Sequence, residues 1–123
     1  MKELQRRLGL TYLFISHNLA VVNHISDYVG VMYLGRLCEV APKRILFNHP
    51  LHPYTRLLLD TIPDLDLSGR RRQPVTGEVP NPIHPPSGCA FHPRCDRATG
   101  ECKETIPSLR QIRPDHKVAC IRL

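Results

Sequence analysis

Apolar and polar positions follow two different periods in the first half of this chain and lose periodicity in the second. Met1, Leu4 and Leu8 recur at helical spacing with charged residues between them, and Gly9 stands where a left-handed residue ends a helix. Residues 11–15 form an unbroken apolar run, which predicts a strand of a parallel sheet covered by helices on both faces. Asn18 then offers an N-cap to a short helix over residues 19–25. Residues 28–34 and 37–40 read as two strands joined by a tight hairpin around Gly35 and Arg36. Pro42 starts a helix of one or two turns through Phe47. Pro53 takes the first position of another over residues 54–61, where its missing N–H costs nothing, and Pro63 stops it.

Past that point the pattern changes to Asp, Ser, Gly, Arg and Pro, with Pro74, Pro80, Pro82, Pro85 and Pro86 imposing extended backbone. The chain is therefore expected to divide into an α/β part over 1–62, a Pro-rich linker over 63–87 and a tail over 88–123. The tail holds Phe91 as its lone aromatic, with Ile106, Leu109, Ile112, Val118, Ile121 and Leu123 scattered through it. A segment so small and so poor in large apolar residues needs disulfides, a metal or a partner surface to fold.

Charge narrows the function classes. A net charge of +6 raises nucleic acid or an anionic surface as a partner. Yet Arg70, Arg71 and Arg72 form the one basic run, inside the linker, and no aromatic stacking platform accompanies it, so no nucleic-acid partner is expected. Residues 1–7 lack the apolar stretch of a signal peptide, and no apolar run approaches the roughly 20 residues that span a bilayer. A reducing, cytosolic setting follows as the expectation, and it turns the cysteines away from disulfides and towards metal or cluster binding.

Four of those cysteines, Cys89, Cys95, Cys102 and Cys120, crowd the tail with five, six and seventeen residues between them. Structural zinc takes pairs two to four residues apart, because a short knuckle presents two sulfurs to one ion. An iron–sulfur cube also takes four thiolates but spreads its iron corners, so wider gaps suit it. The spacing favours the cluster and leaves zinc open. Either site is anionic, and Arg94, Arg97, Lys103, Arg113 and Lys117 lie close enough in sequence to offset it. His92 and His116 are spare ligands or ordinary loop histidines. Cys38, upstream among strand-forming residues, is assigned no chemistry. His17 follows the expected strand and precedes a helix N-terminus, the place where open α/β sheets bind anionic ligands; local packing is the plainer alternative.

Residues Thr11-Tyr12-Leu13-Phe14-Ile15-Ser16-His17-Asn18-Leu19-Ala20-Val21-Val22 resemble the H-loop region of an ABC transporter ATPase. Val31-Met32-Tyr33-Leu34-Gly35-Arg36, His49-Pro50-Leu51-His52-Pro53-Tyr54-Thr55, Gly77-Glu78-Val79-Pro80-Asn81-Pro82 and Pro85-Pro86-Ser87-Gly88-Cys89 narrow the resemblance to the ATP-binding subunits of oligopeptide and dipeptide importers, some relatives of which import nickel. The likeness covers nearly every residue. It implies the C-terminal remnant of a P-loop ABC-type ATPase domain followed by a small irregular cysteine-coordinated module. By the same resemblance, His17 contacts the γ-phosphate of ATP, with Mg as the companion ion, and Cys89, Cys95, Cys102 and Cys120 hold a 4Fe–4S cluster. The implied partners are transmembrane permease subunits, a second ATPase subunit and, indirectly, a substrate-binding protein, on the inner face of the cell membrane. Asn18 departs from the Asp usual in that family. The phosphate loop, Gln loop, signature and Walker B carboxylates do not occur in these residues. Phosphoryl transfer depends on that assembled electrostatic frame, so this stretch is not expected to hydrolyse ATP alone. The alternative class is a non-enzymatic module that folds on a metal or cluster and docks onto a partner.

Overall fold

Period-two alternation produces the first strand, β1 (Tyr28–Tyr33), which buries Val29, Val31 and Tyr33 and exposes Tyr28, Gly30 and Met32. The computed structural model describes residues 1–62 and 77–123. β1 pairs antiparallel with β2 (Arg36–Pro42), and the hairpin turns at Leu34 and Gly35, both at positive φ. That is one residue earlier than the sequence suggests, because the two-residue hairpin turn needs left-handed backbone at both central positions. A bulge follows: Val31 faces Glu39 while Met32 faces Leu37, so Cys38 is the extra residue. It lets Cys38 and Glu39, adjacent in sequence, both be buried.

The helices form where their caps place them. α1 (Lys2–Leu8) ends at Gly9 in the left-handed conformation, and α2 (Leu19–Ile25) begins at Asn18, whose side chain accepts from the N–H groups of Ala20 and Val21. α3 (Lys43–Asn48) follows Pro42, and α4 (Pro53–Asp60) starts on its proline with His52 as the cap. Leu46 of α3 is fully buried against Val29, Val31 and Ala41. No helix among the described residues is long and apolar enough to cross a membrane.

Two expectations are corrected. Residues 11–15 form no strand: they are irregular and exposed, with Leu13 92% and Ile15 90% accessible. A strand persists only where neighbours take up its N–H and C=O groups, and no described strand lies beside this run. The sheet is accordingly antiparallel, in the order β1-β2-β4-β3, and not the parallel sheet that the apolar run implied.

The tail is also more regular than expected. It contributes α5 (Gly100–Glu104), β3 (Arg110–Arg113) and β4 (His116–Val118), and β4 pairs with β2. Its apolar residues are too few for a core of their own, and they share one: Ala90 and Phe91 pack with Tyr33 and Cys38, against Tyr54 and Leu57. Phe91 meets the Tyr33 ring edge-on at 5.2 Å and the Tyr54 ring at 5.3 Å, separations at which tilted aromatic pairs attract beyond their buried area. Of the linker, Pro63, Pro74 and the Arg70 to Arg72 run lie outside the described residues.

Candidate functional site

Local backbone bonds in the tail bring its cysteines around one space. The Cys89 N–H donates to the Cys102 carbonyl at 2.8 Å, closing the segment between them into a loop. Gly88 makes that closure possible, since a Cβ there would sit 2.5 Å from the Cys102 oxygen. Within the loop a 3-10 turn, His92–Arg94, reverses the chain, and the Cys95 N–H donates to the His92 carbonyl. Cys102 occupies the first turn of α5, where the Thr99 backbone N–H approaches its Sγ at 3.5 Å. Cys120 arrives separately, just beyond β4.

All four cysteines line one small, partly open cavity, with His52, Phe91 and Arg97 also on its wall. Burial pushes the Cys89 and Cys95 thiols above their ordinary value. Neighbouring groups add to this, Cys102 and Cys120 at Cys89, and Asp96 ahead of Cys120 and Cys89 at Cys95. Backbone N–H groups oppose the rise, those of Phe91 and His92 at Cys89 and that of Arg97 at Cys95. Cys89 and Cys95 therefore resist ionising until a cationic centre offsets the burial and repulsion. No group of three or more His, Cys, Asp or Glu side chains among the described residues is gathered tightly enough to hold a metal ion.

The other sequence candidates fall elsewhere. His17 is exposed on the bend before α2, apart from the cysteine cavity, with Ser16 Oγ accepting from the Asn18 N–H beside it. Cys38 is buried, and desolvation pushes its thiol up to about 12, so it stays protonated. His92 turns its Nδ1 to the Cys89 carbonyl at 2.9 Å and lines the cavity. His116 is not a spare ligand: its Nε2 lies 2.6 Å from Glu39 Oε1, with both side chains fully buried.

Glu39 is the buried polar side chain that periodicity missed. Its Oε1 also accepts from the Leu51 N–H at 2.9 Å, and its Oε2 from the His52 N–H at 3.0 Å. A carboxylate only accepts, so His116 supplies the proton at Nε2. The available signal was a lone carboxylate inside the apolar run Leu37-Cys38-Glu39-Val40-Ala41, which is too costly to bury without partners. His52 caps α4 by accepting from the Tyr54 N–H at Nδ1. Burial pushes its pKa down to about 4, with the Glu39 charge and the Ala119 backbone opposing.

The sequence has counterparts along its whole length. Residues 38–102 match the profile of the oligopeptide/dipeptide transporter C-terminal region. The chain belongs to that family. It is 52% identical over 123 residues to the oligopeptide transport ATP-binding protein AppF of Bacillus subtilis, covering 98% of this chain and 37% of that protein. It is 50% identical over 124 residues to the dipeptide transport ATP-binding protein DppF of Haemophilus influenzae, covering 100% and 38%. A Brucella ovis protein described as a peptide import ATP-binding protein is 53% identical over 123 residues, with 99% and 39% covered. The chain thus spans well under half the length of the curated relatives it matches.

Proposed function

We propose that this chain is the C-terminal part of an ATP-binding subunit that energises import of oligopeptides or dipeptides, and that residues 88–123 form a module holding a 4Fe–4S cluster on Cys89, Cys95, Cys102 and Cys120. The transport reading rests on the identity of about half of all positions to peptide-transport ATP-binding proteins along the whole chain. In the assembled subunit, ATP and Mg bind on parts outside these residues, and His17 meets the γ-phosphate from its bend. The subunit works with a second ATPase subunit and with transmembrane permease subunits, at the cytoplasmic face of the membrane. Residues 1–62 are then the end of the ATPase domain and 63–87 the linker.

The observation behind the cluster reading is that all four cysteines line one cavity. A single zinc ion demands four sulfurs converging at about 2.3 Å, whereas a cube distributes its thiolates over separate iron corners. The crowded thiols and the N–H groups aimed at Cys89 and Cys95 suit an iron–sulfur core, whose sulfurs are commonly hydrogen-bonded. When bound, the cluster supplies cross-linking and a one-electron couple. The chain's own part is to present four sulfurs, exclude water with Phe91 and offset charge with Arg97.

Iron, acid-labile sulfide and zinc are measured on anaerobically purified protein, with a visible spectrum. About four irons and four sulfides per chain support the cluster, whereas one zinc without sulfide replaces it with a structural zinc site. For His17, a His17→Ala change in a full-length parent is expected to lower ATP turnover while leaving ATP binding intact; unchanged turnover removes the assignment.

A further inference from the structure

Three of the four cavity cysteines belong to one stretch of backbone, and the fourth does not. Cys89, Cys95 and Cys102 are tied together by the Cys89 to Cys102 hydrogen bond and the turn between them. Cys120 reaches the cavity from β4, so its place depends on how β4 sits on β2. That seat is small: Glu39 faces Val118, Val40 faces Lys117, and the Ala119 N–H donates to the Cys38 carbonyl at 2.8 Å. So short a ladder fixes register weakly on its own. What it has in addition is the buried bond from His116 to Glu39, whose carboxylate is held in turn by the Leu51 and His52 N–H groups ahead of α4.

We propose that Glu39 and His116 are positioning residues for the fourth thiolate: their buried hydrogen bond locks β4 on β2 and so delivers Cys120 to the cavity formed by the other three cysteines. The inference deepens the cluster reading and rests on it. A slip of β4 by one residue inverts every side chain. It would remove His116 from the carboxylate and swing the Cys120 end away from the cavity. The clamp therefore couples the seating of the tail on the ATPase remnant to the completeness of the four-sulfur set.

The test uses the full chain as wild type, His116→Ala and His116→Gln, reconstituted anaerobically with iron and sulfide. Gln keeps an N–H donor for Glu39, and Ala does not. The His116→Ala protein is expected to release iron to a chelator roughly tenfold or more faster than wild type, the usual scale for losing an outer-shell partner. One iron should leave ahead of the rest, and the Gln variant should restore the rate. Equal release in wild type and His116→Ala overturns the proposal. Alkylation of the metal-free proteins separates this claim from the reading beneath it. Faster modification of Cys120 relative to Cys102 in His116→Ala supports positioning. An unchanged ratio, or equal exposure of all four cysteines, overturns it and leaves the pair a general stabiliser. Absence of iron in the wild type overturns the cluster reading, and the alkylation ratio still decides whether the clamp places Cys120.

Discussion

Gly88 and His52 carry consequences out of proportion to their size. Gly88 lies at φ +66°, and an added Cβ would approach the Cys102 carbonyl oxygen at 2.5 Å and the Lys103 carbonyl carbon at 2.6 Å. Those are backbone atoms that cannot swing aside, and the left-handed conformation itself disfavours a side chain. Gly88→Ala is therefore expected to cost at least about 1–3 kcal/mol and to break the Cys89 to Cys102 closure. Thermal unfolding together with the rate of Cys89 alkylation checks it; a melting temperature equal to wild type would show that the loop does not need this geometry. His52 sets a pH dependence. Its folded pKa is about 4, below the ordinary 6.5, because burial disfavours the charged ring. The unfolded chain thus binds the proton more readily, so the contribution is fully present above pH 6.5 and is lost as pH falls towards 4. Its ceiling is on the order of 3 kcal/mol. Urea unfolding between pH 4 and 7 should steepen through this window, and His52→Asn, which keeps a capping acceptor, should flatten it.

Turns and caps decide which elements form, and they were also the most legible part of the sequence. Asn18, Gly9, Pro42 and Pro53 each end or start a helix where their chemistry predicts. Asn18→Ala should cost about 1 kcal/mol of local stability in α2, whereas Asn18→Asp should keep the cap, as read by amide exchange at Ala20 and Val21. β3 and β4 were not legible, because Arg110, Gln111, Ile112 and Arg113 carry no apolar alternation and acquire strand geometry from β4. Their turn rests on Asp115 at φ +56°. Asp tolerates that conformation and a β-branched residue does not. Asp115→Val is expected to cost about 1–2 kcal/mol and to raise exchange at the Lys117 and Val118 amides, whereas Asp115→Gly should not. Residues 11–15 failed in the opposite direction. Their apolar run is a genuine strand signal, but a strand is a property of its neighbours, and none stands beside it among the described residues. The four cysteines were legible by type and density, and the single cavity they line was not, because Cys120 reaches it through a strand pairing between residues far apart in sequence.

At the scale of the molecule, the question is whether the tail is an appendage or part of one cooperative unit. Phe91 is 3% exposed and Val118 fully buried, and both lie against residues of the first half. Removing residues 110–123 would open the β2 edge, take away Val118 and leave the Glu39 carboxylate without its His116 partner. Leaving a buried acceptor without its hydrogen-bond partner costs about 1–3 kcal/mol, more where the acceptor is charged, a large share of the roughly 5–15 kcal/mol by which a domain is stable. The truncated chain is therefore expected to lose exchange protection at Val31 and Leu46, deep in the other half, and not merely at the new terminus. Persistence of that protection would make the tail a separable module, with its clamp to β2 serving the cysteine site alone. Loss of protection in both halves at one denaturant concentration would instead mean that a change at the cysteines is felt directly by the sheet. A cluster in the cavity would then stabilise residues 1–62 by mass action, because it binds the folded form and not the unfolded one.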